Sequence, residues 1–175
     1  MEDALLVPAS EEGDFEAVFG VFDGHNGPEC SNFLKTHFLD ALKHQKELSS
    51  GDPEQVEIAI KKAAAEVDHS FLQCARKSCW ASGSTGVVVV WRGNDLWVAN
   101  TGDSRAIAVV KGKAVPLTTD HKPHLAEEAK RYAHPVCFSA LYCSSYILTF
   151  FAHPFVESKS KEVPLQTVDC KDNWR

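Results

Sequence analysis

The hydrophobic pattern of the chain opens with a run from Phe15 to Phe22 in which nearly every residue is apolar. Such a run, followed at once by the turn signal Asp23-Gly24, predicts a buried strand. The period then changes to that of a helix, with apolar side chains at Phe33, Leu34, Phe38, Ala41 and Leu42. Asn26 is the predicted N-cap of this helix, and Pro28 suits its first turn.

A second helix is predicted to begin at Asp52. Asp52 is a suitable N-cap, Pro53 fits the first helical position and Gln55 can complete a capping box. The apolar stripe continues at helical spacing through Val56, Ile60, Ala63, Val67 and Phe71. The pattern therefore predicts two consecutive amphipathic helices after the first strand.

Beyond Gly86 the period shortens to that of strands. Short runs rich in β-branched and apolar residues follow one another at Val87–Trp91, Leu96–Asn100, Ala106–Val110 and Ala114–Thr118. The segments between them are rich in Gly, Asn and Asp, which are typical of turns. A strand, two helices and then a meander of antiparallel strands is typical of an α+β fold, in which the helices pack on a sheet.

The pattern changes near Tyr132, which predicts a domain over residues 1–131 and a divergent apolar tail over residues 132–175. Within this tail, residues 136–155 include no Asp, Glu, Lys or Arg, and their number is close to that of a membrane span. Several Ser residues, His153 and Pro154 make the segment less apolar than a typical transmembrane helix. A buried or poorly folded tail is therefore the favoured interpretation, and a membrane anchor is the alternative.

The composition excludes some classes of partner. With 24 acidic and 18 basic residues the net charge is -6, which disfavours binding to nucleic acid. The six cysteines show neither a CxxC pair nor a zinc-type spacing, so we expect free thiols in a reducing compartment. The chain opens without the features of a secretory signal, and a cytoplasmic or nuclear monomer is expected.

Several residues near the first strand offer oxygen ligands for a hard divalent cation. Asp23 lies at the end of the predicted strand, and Gly24 lets the main chain approach closely enough for its carbonyl to be a ligand. Glu2 and Asp3 add carboxylates on a neighbouring predicted strand, and Asp103 lies in a later turn. Taken singly, an Asp-Gly pair is usually only a turn, and an acidic terminus is usually solvated.

Together these ligands predict a site for two metal ions, Mg²⁺ or Mn²⁺, that activate a water for in-line attack on phosphorus. His25 follows the ligand pair directly and could protonate the leaving oxygen. Considered alone, His25 would be an ordinary surface imidazole.

The motifs occur in a recognisable order along the chain: Met1-Glu2-Asp3, Phe19-Gly20-Val21-Phe22-Asp23-Gly24-His25-Asn26-Gly27, Ser82-Gly83-Ser84-Thr85, Asn100-Thr101-Gly102-Asp103-Ser104-Arg105 and Asp120-His121-Lys122-Pro123. Together they closely resemble the protein phosphatase 2C family, from Met1 to about Arg131. The resemblance implies an antiparallel β-sandwich flanked by helices, with Mg²⁺ or Mn²⁺ in a cleft at one edge. It also implies a metal-dependent serine/threonine protein phosphatase, which hydrolyses phosphoserine and phosphothreonine in protein substrates through a dimetal-activated water.

The resemblance also assigns roles to individual positions. Asp23 would bridge the two metals, Gly24 would contribute its carbonyl, and Glu2 would be a direct or water-mediated ligand of the second metal. His25 matches the general acid of the family. Asp103 matches an aspartate associated with a third, more weakly held metal.

The resemblance is incomplete at both ends of the chain. The family has a phosphate-gripping arginine upstream of the first motif and further metal-binding aspartates after the last one, and neither has a counterpart here. The expectation is therefore an incomplete fold, and the alternative function is a non-catalytic phosphatase-like fragment, truncated or spliced, that acts as a binding module. Ser84 and Thr85 are expected to let strands approach the cleft, and the motif at 120–123 is expected to be structural.

Overall fold

The computed structural model of the chain describes residues 2–7, 15–50, 52–122, 124–126, 128–129 and 165–167. The predicted boundary near Tyr132 and the apolar segment 136–155 lie outside these ranges. Every helix within the ranges is too short or too polar to cross a membrane.

The described elements follow the predicted order. The strands are β1 (Ala4–Leu6), β2 (Ala17–Phe22), β3 (Gly24–His25), β4 (Gly83–Ser84), β5 (Gly86–Arg92), β6 (Asp95–Thr101), β7 (Ile107–Val110), β8 (Lys113–Pro116) and β9 (Leu165–Thr167). The helices are α1 (Glu29–Lys43) and α2 (Pro53–Ser78), with a 3₁₀ turn at Lys46–Ser49 between them. A strand, two helices and then hairpins confirm the predicted α+β class.

The main sheet has five strands in the order β1-β2-β5-β6-β9. Its first four strands are antiparallel neighbours, whereas β9 lies parallel to β6. Two smaller pairings, β3 with β4 and β7 with β8, complete the described sheets. One end of the main sheet is therefore formed by the start of β1, the end of β2, the start of β5 and the end of β6.

The two helices show where local capping signals succeed and fail. Asp52 is the N-cap of α2, and its carboxylate accepts a hydrogen bond from the Glu54 N–H at 3.1 Å, as predicted. The predicted Asn26 cap of α1 is wrong, because the helix begins at Glu29 with Pro28 as its N-cap. Asn26 and Gly27 instead form a turn with φ of 58° and 126°, a region that Asn and Gly enter more readily than other residues.

One face of the main sheet packs against α1 and α2. Val18 and Phe22 of β2 are buried in this layer, together with Val90 and Trp97 of the neighbouring strands. The helices contribute buried side chains that include Leu34, Phe38, Leu42, Ile60, Val67 and Phe71. Each large apolar side chain removed from water contributes about 1.5–3 kcal/mol, so this layer is the main source of stability among the described residues.

The other face of the main sheet has only a partial cover among the described residues. Val87 and Val98 are buried there with Leu117, beside the β7–β8 hairpin. Toward β1 the same face presents Leu5 and Val21, which are 57% and 46% exposed. Helices on one face and a partial second layer on the other agree with the predicted incomplete antiparallel sandwich.

Candidate metal centre

Strand ends on one side of the main sheet carry all of the predicted site residues. Residues 2–3 precede β1, Asp23 follows β2, Thr85 precedes β5 and residues 102–104 follow β6. Because these strands are antiparallel, their register brings the four segments together where the strands end, at one edge of the sheet. The candidate centre is therefore assembled from positions distant in sequence.

Asp23 lies between β2 and β3, and its backbone is fixed by the segment that leads into β5. Its carbonyl oxygen accepts a hydrogen bond from the Thr85 N–H at 2.8 Å. The Ser84 hydroxyl lies 3.2 Å from the same oxygen and 2.7 Å from the Thr85 carbonyl, its nearer acceptor. Gly24 pairs with Ser84 in the β3–β4 ladder. The Asp23 side chain is exposed, so a rigid backbone presents its carboxyl group to solvent.

Asp3 faces Asp23 across the first pair of strands. Ala4 pairs with Phe22, and continuing that antiparallel register by one residue places Asp3 opposite Asp23. The two carboxyl groups are therefore close enough for Asp3 to raise the pKa of Asp23.

The charge around Asp23 is predominantly negative. Although the side chain is exposed, partial desolvation of its carboxyl group raises the pKa of Asp23 most, and the neighbouring Asp3 carboxyl group follows. The charge of Asp103 raises this pKa further, and His25 opposes the rise. A divalent cation would relieve the repulsion among these carboxylates.

Gly24 is required by a close approach of main chains. A Cβ at this position would lie 2.4 Å from the Glu2 carbonyl oxygen and 2.9 Å from the Ser31 hydroxyl oxygen. The fully buried Ser31 hydroxyl also donates a hydrogen bond to that Glu2 carbonyl. Glu2, a predicted metal ligand, is thus anchored to α1 through its backbone, while its side chain is exposed.

Asp103 lies in the turn that follows β6. Gly102, which precedes it, has a φ of 95°, and a Cβ there would lie 2.8 Å from the Thr85 methyl group. The hydroxyl groups of Thr85 and Ser104 are 2.5 Å apart, so the turn is tied to the same segment that fixes Asp23. The charge of Asp103 reaches Asp23, as noted above, and Lys122 lies 3.7 Å from the Asp103 carboxylate.

His25 is half-buried in β3, where it pairs with Gly83. Its charge lowers the pKa of Asp23, so the imidazole lies close enough to interact with that carboxyl group.

The donor chemistry of this site suits Mg²⁺ or Mn²⁺, which prefer carboxylate and carbonyl oxygens. The carboxylates of Asp3, Asp23 and Asp103, which lie close enough to influence one another, supply oxygens of that type. In the part of the chain that the structure describes, no three Asp, Glu, His or Cys side chains form a preassembled metal-binding cluster. The residues therefore fit such ions by type, and ion binding would have to draw the carboxylates together.

Sequence reasoning grouped Asp23, His25 and Asp103, and the structure places all three at one edge of the sheet. The sequence also predicts Asp3 as a carboxylate beside Glu2, and in the structure Asp3 is the neighbour whose carboxyl group raises the pKa of Asp23. Strand periodicity could have selected Asp3. Neighbouring residues of a strand point to opposite faces, so only one of Glu2 and Asp3 can face Asp23. No local sequence pattern predicts the hydrogen bond from Ser31 to the Glu2 carbonyl, because the two residues are far apart in the chain.

Comparisons with known proteins agree with the resemblance. The family model described as Protein phosphatase 2C matches residues 1–134. "Probable protein phosphatase 2C 55" of Oryza sativa subsp. japonica is 42% identical over 134 residues, covering 75% of this chain and 34% of that protein. "Probable protein phosphatase 2C 76" of Arabidopsis thaliana is 38% identical over 133 residues, covering 75% of this chain and 30% of that protein.

A solved structure gives the same picture. The serine-threonine phosphatase 2C from Toxoplasma gondii superposes with a TM-score of 0.66 at 25% identity, covering 74% of this chain and 48% of that chain. The chain thus spans about a third of the length of the curated relatives it matches. The matched part contains every segment of the candidate metal centre.

Proposed function

Since this chain belongs to the protein phosphatase 2C family, we propose that it hydrolyses phosphoserine and phosphothreonine in protein substrates with bound Mg²⁺ or Mn²⁺. The observation that supports this most directly is the grouping of Asp3, Asp23, Asp103 and His25 at one edge of the main sheet. Carboxylates beside an imidazole suit the transfer of a phosphoryl group to water. A cytoplasmic or nuclear monomer acting on phosphoproteins is part of the same proposal.

Asp23, the Gly24 carbonyl and Glu2 would hold two ions, and Asp103 would hold a further ion more weakly. The contact between Asp3 and Asp23 adds Asp3 to this set. When bound, such ions make water a stronger nucleophile near neutral pH and offset the negative charge of the phosphoryl group.

The chain's own residues supply positioning and proton transfer. A hydrogen bond from the Thr85 N–H to the Asp23 carbonyl holds the backbone that carries the Asp23 carboxylate. His25, as the imidazolium, would donate its ring N–H proton to the serine or threonine oxygen as that oxygen leaves phosphorus. The exposed edge leaves room for a protein substrate to reach these groups.

A second candidate is a binding module that recognises phosphoproteins without hydrolysing them. One observation favours it: among the described residues, no three Asp, Glu, His or Cys side chains lie close enough together to hold a metal ion. Under this alternative the carboxylates would hold a metal too weakly for turnover. A phosphorylated peptide would still bind at the same edge.

Manganese-dependent hydrolysis of a phosphothreonine peptide by the purified chain distinguishes the two candidates. Asp23→Asn keeps the shape of the side chain but removes its charge, and should lower the rate by about two orders of magnitude or more. Asp40→Asn is the matched control, because Asp40 is an exposed residue of α1, and it should leave the rate unchanged.

Equal rates for the wild-type chain and Asp23→Asn would rule out catalysis at this site. A wild-type chain without turnover would favour the binding module. Calorimetric titration with the same peptide would then show binding in the wild-type chain and weaker binding in Asp23→Asn.

A further inference from the structure

Residues 119–122 close over the turn that carries Asp103. The segment is predicted from sequence to be structural, and its residues lie beyond β8, distant in sequence from the turn. In the structure it contacts the turn at several points, through both backbone and side chains. The segment therefore holds the turn that carries Asp103.

The central contact is a reciprocal pair of hydrogen bonds between Gly102 and His121. The Gly102 N–H donates to Nδ1 of His121 at 3.1 Å, and the His121 N–H donates to the Gly102 carbonyl at 2.9 Å. Since Nδ1 is the acceptor, the proton of the neutral ring resides on Nε2. His121 thus contacts both backbone polar groups of Gly102, and the Asn100 side chain donates a longer hydrogen bond, of 3.4 Å, to the same carbonyl.

Side chains on either side reinforce this pair. Arg105 donates two hydrogen bonds to the Asp120 carboxylate, at 2.6 and 2.7 Å, and holds the pKa of that carboxyl group down at about 2. Lys122 lies 3.3 Å from Asp120 and 3.7 Å from Asp103. Asn100 also donates to the Thr119 carbonyl at 3.1 Å, so the two segments are joined at both ends.

The Asp103 side chain has little support of its own. It is 53% exposed, and the ion pair with Lys122 is long and reaches into solvent. Such exposed pairs contribute little to holding a side chain in place. The position of the carboxylate therefore depends on the backbone of the turn, which Gly102 places at a φ of 95°.

We infer that His121 is a positioning residue, which sets the place of the Asp103 carboxylate by holding the backbone of Gly102. The claim deepens the proposed function and rests on it, because it concerns the part of the metal centre that Asp103 supplies. His121 does not touch the metal or the substrate in this role; it acts through the turn.

The test compares variants that keep or lose an acceptor at the place of Nδ1. His121→Asn carries a side-chain oxygen at nearly that place, whereas the oxygen of His121→Gln lies one bond farther out, and His121→Ala has none. His69→Ala is the matched control, because it removes an exposed histidine from α2 that bonds only to Gln73 among the described contacts. Hydrogen exchange of the Gly102 amide, measured by NMR, reports on its hydrogen bond to His121. Electron paramagnetic resonance of free Mn²⁺ reports on the affinity of the chain for Mn²⁺.

A hydrogen bond of ordinary strength corresponds to a factor of about two to ten in an equilibrium. His121→Ala and His121→Gln should raise the exchange rate of the Gly102 amide by that factor and weaken Mn²⁺ binding similarly. His121→Asn should stay close to wild type in both measurements, and His69→Ala should change neither. Should His121→Ala fail to fold, the Asn and Gln variants still provide the comparison.

The inference is overturned if His121→Gln and His121→Asn behave alike, or if His121→Ala binds Mn²⁺ as the wild type does. A wild-type chain that binds no Mn²⁺ would instead refute the proposed metal centre. The exchange rates of Gly102 would then decide separately whether His121 holds the turn. Failure of the inference and failure of the proposed function thus give different results.

Discussion

Replacing Gly24 with alanine should damage both the stability of the domain and its candidate metal centre. The added Cβ would lie 2.4 Å from the Glu2 carbonyl oxygen, whereas an ordinary contact is at least 3.4 Å. The main chain before β1 must therefore retreat by about 1 Å, since a backbone atom cannot rotate out of the way. That movement would separate Asp3 from Asp23 and strain the Ser31 hydrogen bond to the Glu2 carbonyl.

The expected cost can be built from these contacts. Overpacking against a fixed backbone costs about 1–3 kcal/mol, and weakening the hydrogen bond of a buried hydroxyl adds about 1 kcal/mol. We therefore expect Gly24→Ala to lower the free energy of unfolding by about 2–4 kcal/mol. Urea unfolding followed by circular dichroism measures this quantity.

Two further variants make the measurement specific. Gly93→Ala is a control in open space, where only the φ of 59° matters, so it should cost about 1 kcal/mol. Combining Gly24→Ala with Ser31→Ala should cost less than the two single changes together, because both disturb the same hydrogen bond. A Gly24→Ala variant as stable as wild type would refute the argument that this glycine is needed for close packing.

Two other predictions test the remainder of the structure. Burial raises the pKa of Asp68 to about 7, so the folded state binds a proton more tightly than the unfolded state between about pH 4 and 7, and stability falls as pH rises through that window. Asp68→Asn should therefore stabilise the chain more at pH 8 than at pH 5, by at most about 3 kcal/mol in urea unfolding, and an effect independent of pH would contradict this. Val18→Thr, on the helix-covered face of β2, should cost about 1–3 kcal/mol, whereas Val21→Thr, on the partly exposed face, should cost under about 0.5 kcal/mol. Equal costs would mean that the outer face is covered.

The local elements of this protein could be predicted from its sequence. The strand that ends before Asp23, the helix capped by Asp52 and the short strands after Gly86 all appear in the structure. Each depends on residues a few positions apart, so periodicity and capping contain the needed information. The Asn26 cap was predicted wrongly because a turn with positive φ competes for the same residue.

Tertiary structure alone decided how the candidate centre is put together. The sequence placed carboxylates at several strand ends, but the β1–β2 register selected Asp3 as the partner of Asp23. The contact of Gly24 with Glu2 and the clamp of His121 on Gly102 likewise join segments far apart in the chain. The spacing of residues in the sequence determines the interactions within one helix or strand. Contacts between elements depend on strand register and packing, which exist only once the sheet has formed.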